Sequence, residues 1–182
     1  MEGVWRTRVG YAGGTKNDPT YRSMGDHTEC FQVDFDPAEV SYEDLLELFW
    51  TAHDPTRPAF KAQYASLVLA HDDEQLETAK ASAERLAVLL KRPIATRIDR
   101  FDRFWMAEDY HQKYYLRSDR KLFSEMRAAY AKDEDFVAST AAAKINGYLY
   151  GSGSCVQLDE DLPGLGLSPE AGEHLRSHCR RR

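Results

Sequence analysis

Polar and apolar positions alternate along two stretches near the start of the chain. Residues 4–11 are rich in β-branched and aromatic side chains and stop at Gly10 and Gly13-Gly14, which predicts a strand and a turn. In residues 29–35, Glu29, Phe31, Val33 and Phe35 share one side, and Cys30, Gln32 and Asp34 share the other. That period of two predicts a second strand, closed by Asp36-Pro37. The polar stretch 15–25 between them reads as a loop, and the two strands are expected to pair antiparallel.

Helical spacing follows. Ser41 is a candidate N-cap with Asp44 three residues on. Leu45, Leu46, Leu48, Phe49 and Ala52 form an apolar stripe, and His53-Asp54-Pro55 stops it. Residues 64–70 read as a short buried strand. Leu76, Ala79, Ala83, Leu86 and Leu90 predict a long helix over 73–91, ended by Pro93, and 94–98 reads as a strand. The state of 101–105 is left open, and 107–116 reads as helical or irregular. Helices are expected over 121–131 and 136–145 and a loop over 147–153. A loosely ordered tail is expected from Asp159, where acids, Gly164, Gly166 and Pro163 accumulate. Adjacent strands mixed with crossover helices give an α+β fold: a mixed sheet with helices packed on it. The division expected is a domain over 1–150 and a flexible tail over 151–182.

Composition narrows the function classes. The 182 residues carry a net charge of −6 with acids and bases interspersed, which disfavours nucleic acid as a partner. Arg180-Arg181-Arg182 is the one dense basic run and reads as a solvated terminus. No stretch approaches the roughly 20 apolar residues of a membrane span, and no signal peptide is visible, so no membrane partner is expected. Cys30, Cys155 and Cys179 are odd in number and widely spaced, unlike a secreted disulfide framework, so a reducing cytoplasm is the default. Metal binding through His27, Glu29, His53 and His111 finds no supporting HxxxH or CxxC spacing, and neither metal nor cofactor is expected.

Five blocks then occur in order. They are Val9-Gly10-Tyr11-Ala12-Gly13-Gly14 with Pro19-Thr20-Tyr21; His27-Thr28-Glu29 leading to Phe35-Asp36-Pro37; Ser41 to Leu46 with Phe49-Trp50 and His53-Asp54-Pro55-Thr56; Gln63-Tyr64; and Ala107-Glu108-Asp109-Tyr110-His111-Gln112. Together they resemble the A-type peptide methionine sulfoxide reductases. The resemblance implies that family's two-layer, ferredoxin-like sandwich. It also implies repair of oxidised methionine: thiol-dependent reduction of methionine-S-sulfoxide, free or in oxidised proteins, with thioredoxin or another thiol as reductant.

By that resemblance Glu29 is the acid that protonates the sulfoxide oxygen, with its carboxyl kept protonated by burial. Tyr21 and Tyr64 match the two phenols that hydrogen-bond the oxygen. Asp109 and His111 support the site. Cys155 and Cys179 are candidate resolving cysteines, the thiols that attack the oxidised nucleophile. The arginines beside Cys179 are expected to lower its pKa. Cys30 neighbours Glu29 on a strand, faces the other way, and reads as a core filler. The family's Gly-Cys-Phe-Trp nucleophile motif does not occur among the 182 residues. The expectation is therefore a reductase whose first strand and helix are missing through an N-terminal truncation. The alternative is a non-catalytic relative, a binding or scaffold protein. Both rest on the same blocks.

Overall fold

The structure, a computed structural model, describes residues 2–179. The basic run at 180–182 lies outside the described residues. Strand β1 (Val4–Ala12) pairs antiparallel with β2 (Thr28–Phe35), as the alternation predicts, and places Tyr11 opposite Glu29 and Gly10 opposite Cys30. A third strand, β3 (Leu67–Ala70), is shorter than expected because Ala62–Tyr64 forms a 3-10 turn ahead of it. It pairs in parallel with β4 (Arg97–Arg100). β4 starts later than expected because the Ala95 N–H bonds to the Pro55 carbonyl at 2.7 Å, outside any ladder. Phe104–Met106, whose state the sequence leaves open, is β5 on the other edge of β1.

The strands form two sheets, β2-β1-β5 and β3-β4, where one mixed sheet was expected. The α+β class holds. Among the described residues, the outer edge of β2 and that of β3 have no strand partner. Gly10 is required where β5 crosses, because a Cβ there would overlap the Trp105 carbonyl and the Phe104 ring.

Helix α1 (Tyr42–Thr51) carries the expected capping box between Ser41 and Asp44. α2 (Asp73–Leu90) ends at Lys91, whose left-handed backbone (φ 52°) lets its N–H and that of Arg92 return to the last carbonyls; Pro93 follows the stop without causing it. Leu46 and Trp50 of α1 pack on Ala79 and Ala83 of α2 and on Val68 of β3.

The rest is helical: α3 (Tyr114–Ser118), α4 (Arg120–Ala129), α5 (Asp133–Ala138), α6 (Thr140–Tyr150), α7 (Cys155–Asp161) and α8 (Pro169–His178). The single helix expected over 136–145 is two, because Ser139 stays extended and caps α6 through the Ala142 N–H. α6 runs through the expected loop to Tyr150 and stops at Gly151 (φ 95°). The segment expected as a loose tail is folded. Ser154 and Ser168 cap α7 and α8, and Leu158, Leu165, Ala171 and Leu175 are buried against Leu122, Met126 and Ile145. That apolar burial holds the segment against one core with α3–α6. Among the described residues, no helix is long and apolar enough to cross a membrane.

Candidate active site

β1 and β2 meet at the end that carries Tyr11 and Glu29. Half-buried Glu29 accepts a hydrogen bond at Oε1 from Gln63 Nε2 at 2.9 Å. Thr28 Oγ1 donates to the Ala62 carbonyl at 2.9 Å, which fixes the 3-10 turn against β2. Tyr64, last residue of that turn, is therefore carried to the same wall as Glu29. Both line a groove of about 420 Å³ that runs between β2, α1 and β3. Its remaining walls are mostly apolar, including Val33, Phe35, Leu45 and Phe49.

Tyr21 is not among the groove's lining residues. Its backbone N–H donates to Glu108 Oε1 at 3.1 Å, and its ring lies 4.8 Å from that of His111. Glu108 Oε2 accepts the Tyr11 hydroxyl at 2.6 Å. This bond holds the Glu108 carboxyl below its usual range, while burial and then Glu108 push the Tyr11 phenol far up. Tyr21 is thus connected to the Glu29 end of the sheet through Glu108 and Tyr11.

The family model for peptide methionine sulfoxide reductase matches residues 1–144. The chain belongs to the peptide methionine sulfoxide reductase family. A peptide methionine sulfoxide reductase of Drosophila melanogaster is 42% identical over 182 residues, covering 97% of this chain and 71% of that protein. The A5 protein of Oryza sativa subsp. japonica is 39% identical over 154 residues, covering 81% of this chain and 60% of that one. Of solved structures, methionine sulfoxide reductase A of Corynebacterium diphtheriae superposes with a TM-score of 0.55 at 32% identity, over 64% of this chain and 65% of that one. Reduced Mxr1 from Saccharomyces cerevisiae superposes with a TM-score of 0.59 at 28% identity, over 65% and 73%. The likeness to the fly protein extends past residue 144 into the C-terminal helices.

The reductase blocks place their other residues unevenly. Asp109 is exposed on a 3-10 turn. His111 Nε2 is buried without a partner, beneath the rings of Tyr21 and Tyr110. His27 is a structural tie: Nδ1 accepts the Gly14 N–H at 3.2 Å, and Nε2 lies 2.7 Å from the Lys16 carbonyl. His53 is tied likewise, to the Phe49 carbonyl and the Ser66 hydroxyl.

Cys30, expected to face away from Glu29 as a core filler, is half-buried and lines the same groove; burial, opposed by the Arg97 guanidinium, pushes its thiol up to about 11. Cys155 and Cys179 are joined in a disulfide between the start of α7 and the end of α8, so in this state neither is a free thiol. The lowered pKa expected for Cys179 therefore does not arise here.

Sequence reasoning passed over Gln63, Tyr11 and Glu108, which hold the site's polar groups, although all three lie in the matching blocks. It also passed over Gln112, which is buried. Gln112 accepts the Val9 N–H at 2.9 Å and donates to the Val9 carbonyl at 2.7 Å, continuing the sheet beyond β5.

Proposed function

We propose that the chain supplies the proton-donating and oxygen-binding side of a thiol-dependent methionine-S-sulfoxide reductase. The observation that carries this reading is the Gln63–Glu29 hydrogen bond in the wall that also holds Tyr64. An amide donor aimed at one carboxyl oxygen leaves the other to hold the proton and present it to a sulfoxide. Tyr64 donates to the same oxygen, so charge that develops there meets a placed dipole, while Tyr21, the second phenol of the family reading, packs on His111 outside the groove. His111 supports Tyr21 through ring contact, and Asp109 lies on the same turn.

A thiolate attacks the sulfoxide sulfur to form an S–S bond while Glu29 protonates the oxygen. The S–O bond breaks and, after a second protonation, the oxygen leaves as water; a water molecule then attacks the cysteine sulfur, breaks the S–S bond, releases methionine and leaves the cysteine as a sulfenic acid. A resolving thiol from the Cys155–Cys179 pair then displaces water from it to form a disulfide. The second cysteine of the pair transfers that bond onto Cys155–Cys179, where thioredoxin or another dithiol reduces it.

Cys30 lines the same groove, but burial raises its thiol and makes it a poor attacking sulfur. In this reading the nucleophile comes from sequence outside these 182 residues, and the groove beside Glu29 receives the segment that bears it.

The test is reduction of a peptide methyl sulfoxide with dithiothreitol. The 182-residue chain is expected to be inactive, and a version extended to include a Gly-Cys-Phe-Trp segment to be active. Glu29→Gln in the extended version should lower kcat by about 100-fold or more, the contribution of a general acid. Turnover by the 182 residues that Cys30→Ser abolishes would overturn the reading.

A further inference from the structure

On α4 and α8, which contribute no residue to the groove, three ligand-type atoms converge. α8 carries His174 and His178 four residues apart, so both imidazoles project from one face. Asp119 caps α4 opposite them. Its Oδ1 accepts the N–H groups of Lys121 and Leu122, each at 3.1 Å, which leaves Oδ2 to face the two rings. His174 Nε2 lies 2.8 Å from Oδ2 and His178 Nε2 lies 4.0 Å from it, and the three ligand atoms lie within 4.8 Å of one another.

We propose that Asp119, His174 and His178 form a binding site for a first-row divalent transition-metal ion, zinc above all. Two imidazoles and one carboxylate are a common zinc donor set, and bonds of about 2.0–2.2 Å require neighbouring ligand atoms about 3.3 Å apart. The two distances to Oδ2 lie on either side of that value, so small side-chain rotations suffice.

The tautomer of His178 is set by its neighbour. His178 Nδ1 lies 3.0 Å from the His174 carbonyl, an acceptor only, so Nδ1 carries the hydrogen and Nε2 presents its lone pair towards Asp119. His174 Nε2, 2.8 Å from Asp119 Oδ2, donates to that carboxylate in the metal-free protein and gives up this hydrogen when an ion binds. The backbone beneath is fixed, since Ala171 and Leu175 of α8 and Leu122 of α4 are buried in the same core. His178 is exposed, which leaves a side open for water as a fourth ligand. Of the neighbouring cations, Arg176 pairs with Asp159 and Glu173, and Lys121 bonds to the Glu170 carbonyl.

The bound ion clips the start of α4 to the last turn of α8, next to Cys179 and its disulfide. The site stands apart from the sulfoxide chemistry and does not depend on it.

The experiment uses chelator-treated protein with the disulfide intact, so that only Cys30 is a thiol. Zinc is titrated against a chromophoric chelator, and cobalt(II) is added separately to read visible d–d absorption. We expect one equivalent bound with a dissociation constant on the order of micromolar, tetrahedral cobalt bands, and a Tm that rises with zinc. His178→Gln and His174→Gln should each weaken zinc binding at least about tenfold and remove the Tm rise, while His71→Gln should leave both unchanged. His178 is exposed, so its replacement leaves the fold intact and keeps the test decisive. Zinc binding that survives His178→Gln, or no binding below about 100 µM, would overturn the proposal.

Discussion

Cys30 is the one thiol this chain keeps free in its oxidised form, and its reactivity decides whether the chain holds a nucleophile of its own. It sits on β2 opposite Gly10, half-buried. Burial raises the thiol from 9.0 to about 11 against the opposing pull of Arg97 and of a hydrogen bond from the Ala12 N–H. At neutral pH the rise cuts the thiolate fraction about 100-fold. A more basic thiolate is intrinsically more nucleophilic, by about 6- to 10-fold for the usual Brønsted slope. The two effects leave Cys30 about tenfold slower than an ordinary thiol before shielding by the strand is counted. The assay is alkylation of the oxidised protein with iodoacetamide, followed by mass spectrometry with glutathione as reference. The expected rate is about a tenth of the reference or less, and it should keep rising with pH towards 11. A rate matching glutathione, or a plateau below pH 9, would refute the reasoning and return Cys30 to contention as the attacking sulfur.

Gln112→Ala leaves the half-buried Val9 N–H without its partner, while the Val9 carbonyl keeps the Ala107 N–H at 3.0 Å, and should cost about 1–3 kcal/mol in urea unfolding; a loss below about 0.5 kcal/mol would mean water replaces the amide. Reducing Cys155–Cys179, separated by 24 residues, should lower stability by about 3 kcal/mol by the chain-entropy estimate and speed hydrogen exchange in α7 and α8 first. Exchange that changes first in β1 would place the weak point elsewhere. Lys113 is buried, donates to the Thr7 carbonyl at 2.5 Å, and is lowered from 10.5 to about 8, first by burial and then by Arg8. Between pH 8 and 10.5 the unfolded chain holds a proton that the folded chain releases, so this residue's contribution makes stability rise with pH across that window, by about 3 kcal/mol in full. Urea melts at pH 7.5 and pH 10 should show a change in the native chain more positive than that in Lys113→Met by most of this amount, since the raised Cys30 and Tyr11 groups lower stability over the same window in both proteins; an equal change in both would refute the assignment.

The parts of the site carried by local pattern were legible in the sequence. Alternation from Glu29 to Phe35 placed Glu29 on a strand, and the Ser41–Asp44 box placed α1. The β1–β2 antiparallel pairing followed from two strand patterns joined by a polar loop. Contacts between distant residues were not legible. Nothing local tells that Gln63 reaches Glu29, or that Glu108 joins Tyr11 to Tyr21 across 87 residues of chain. The grouping of Tyr21 with Glu29 and Tyr64 came from block order alone. The geometry instead sets Tyr21 on His111, outside the groove. Short strands were misplaced because three or four residues carry too few side chains for a period to show.

The C-terminal segment was misread for a different physical reason. Its glycines, serines and acids were taken together as a composition, and that composition suits a chain that cannot bury enough apolar surface to offset ordering. Position matters more than the average. Ser154 and Ser168 each stand one residue before a helix and accept the N–H three residues on, with Pro169 at the first helical position where its missing donor costs nothing. Leu158, Leu165, Ala171 and Leu175 are few, but every one is almost wholly buried. The acids are placed as well: Asp161 accepts Tyr148 at 2.6 Å and pairs with Lys144, and Asp159 pairs with Arg176. Four anchored apolar residues, two caps and a disulfide suffice for α7 and α8 because they dock on α3–α6, a surface already built. The same docking sets His174 and His178 against Asp119, so their i, i+4 spacing acquires a third ligand only once the segment is packed.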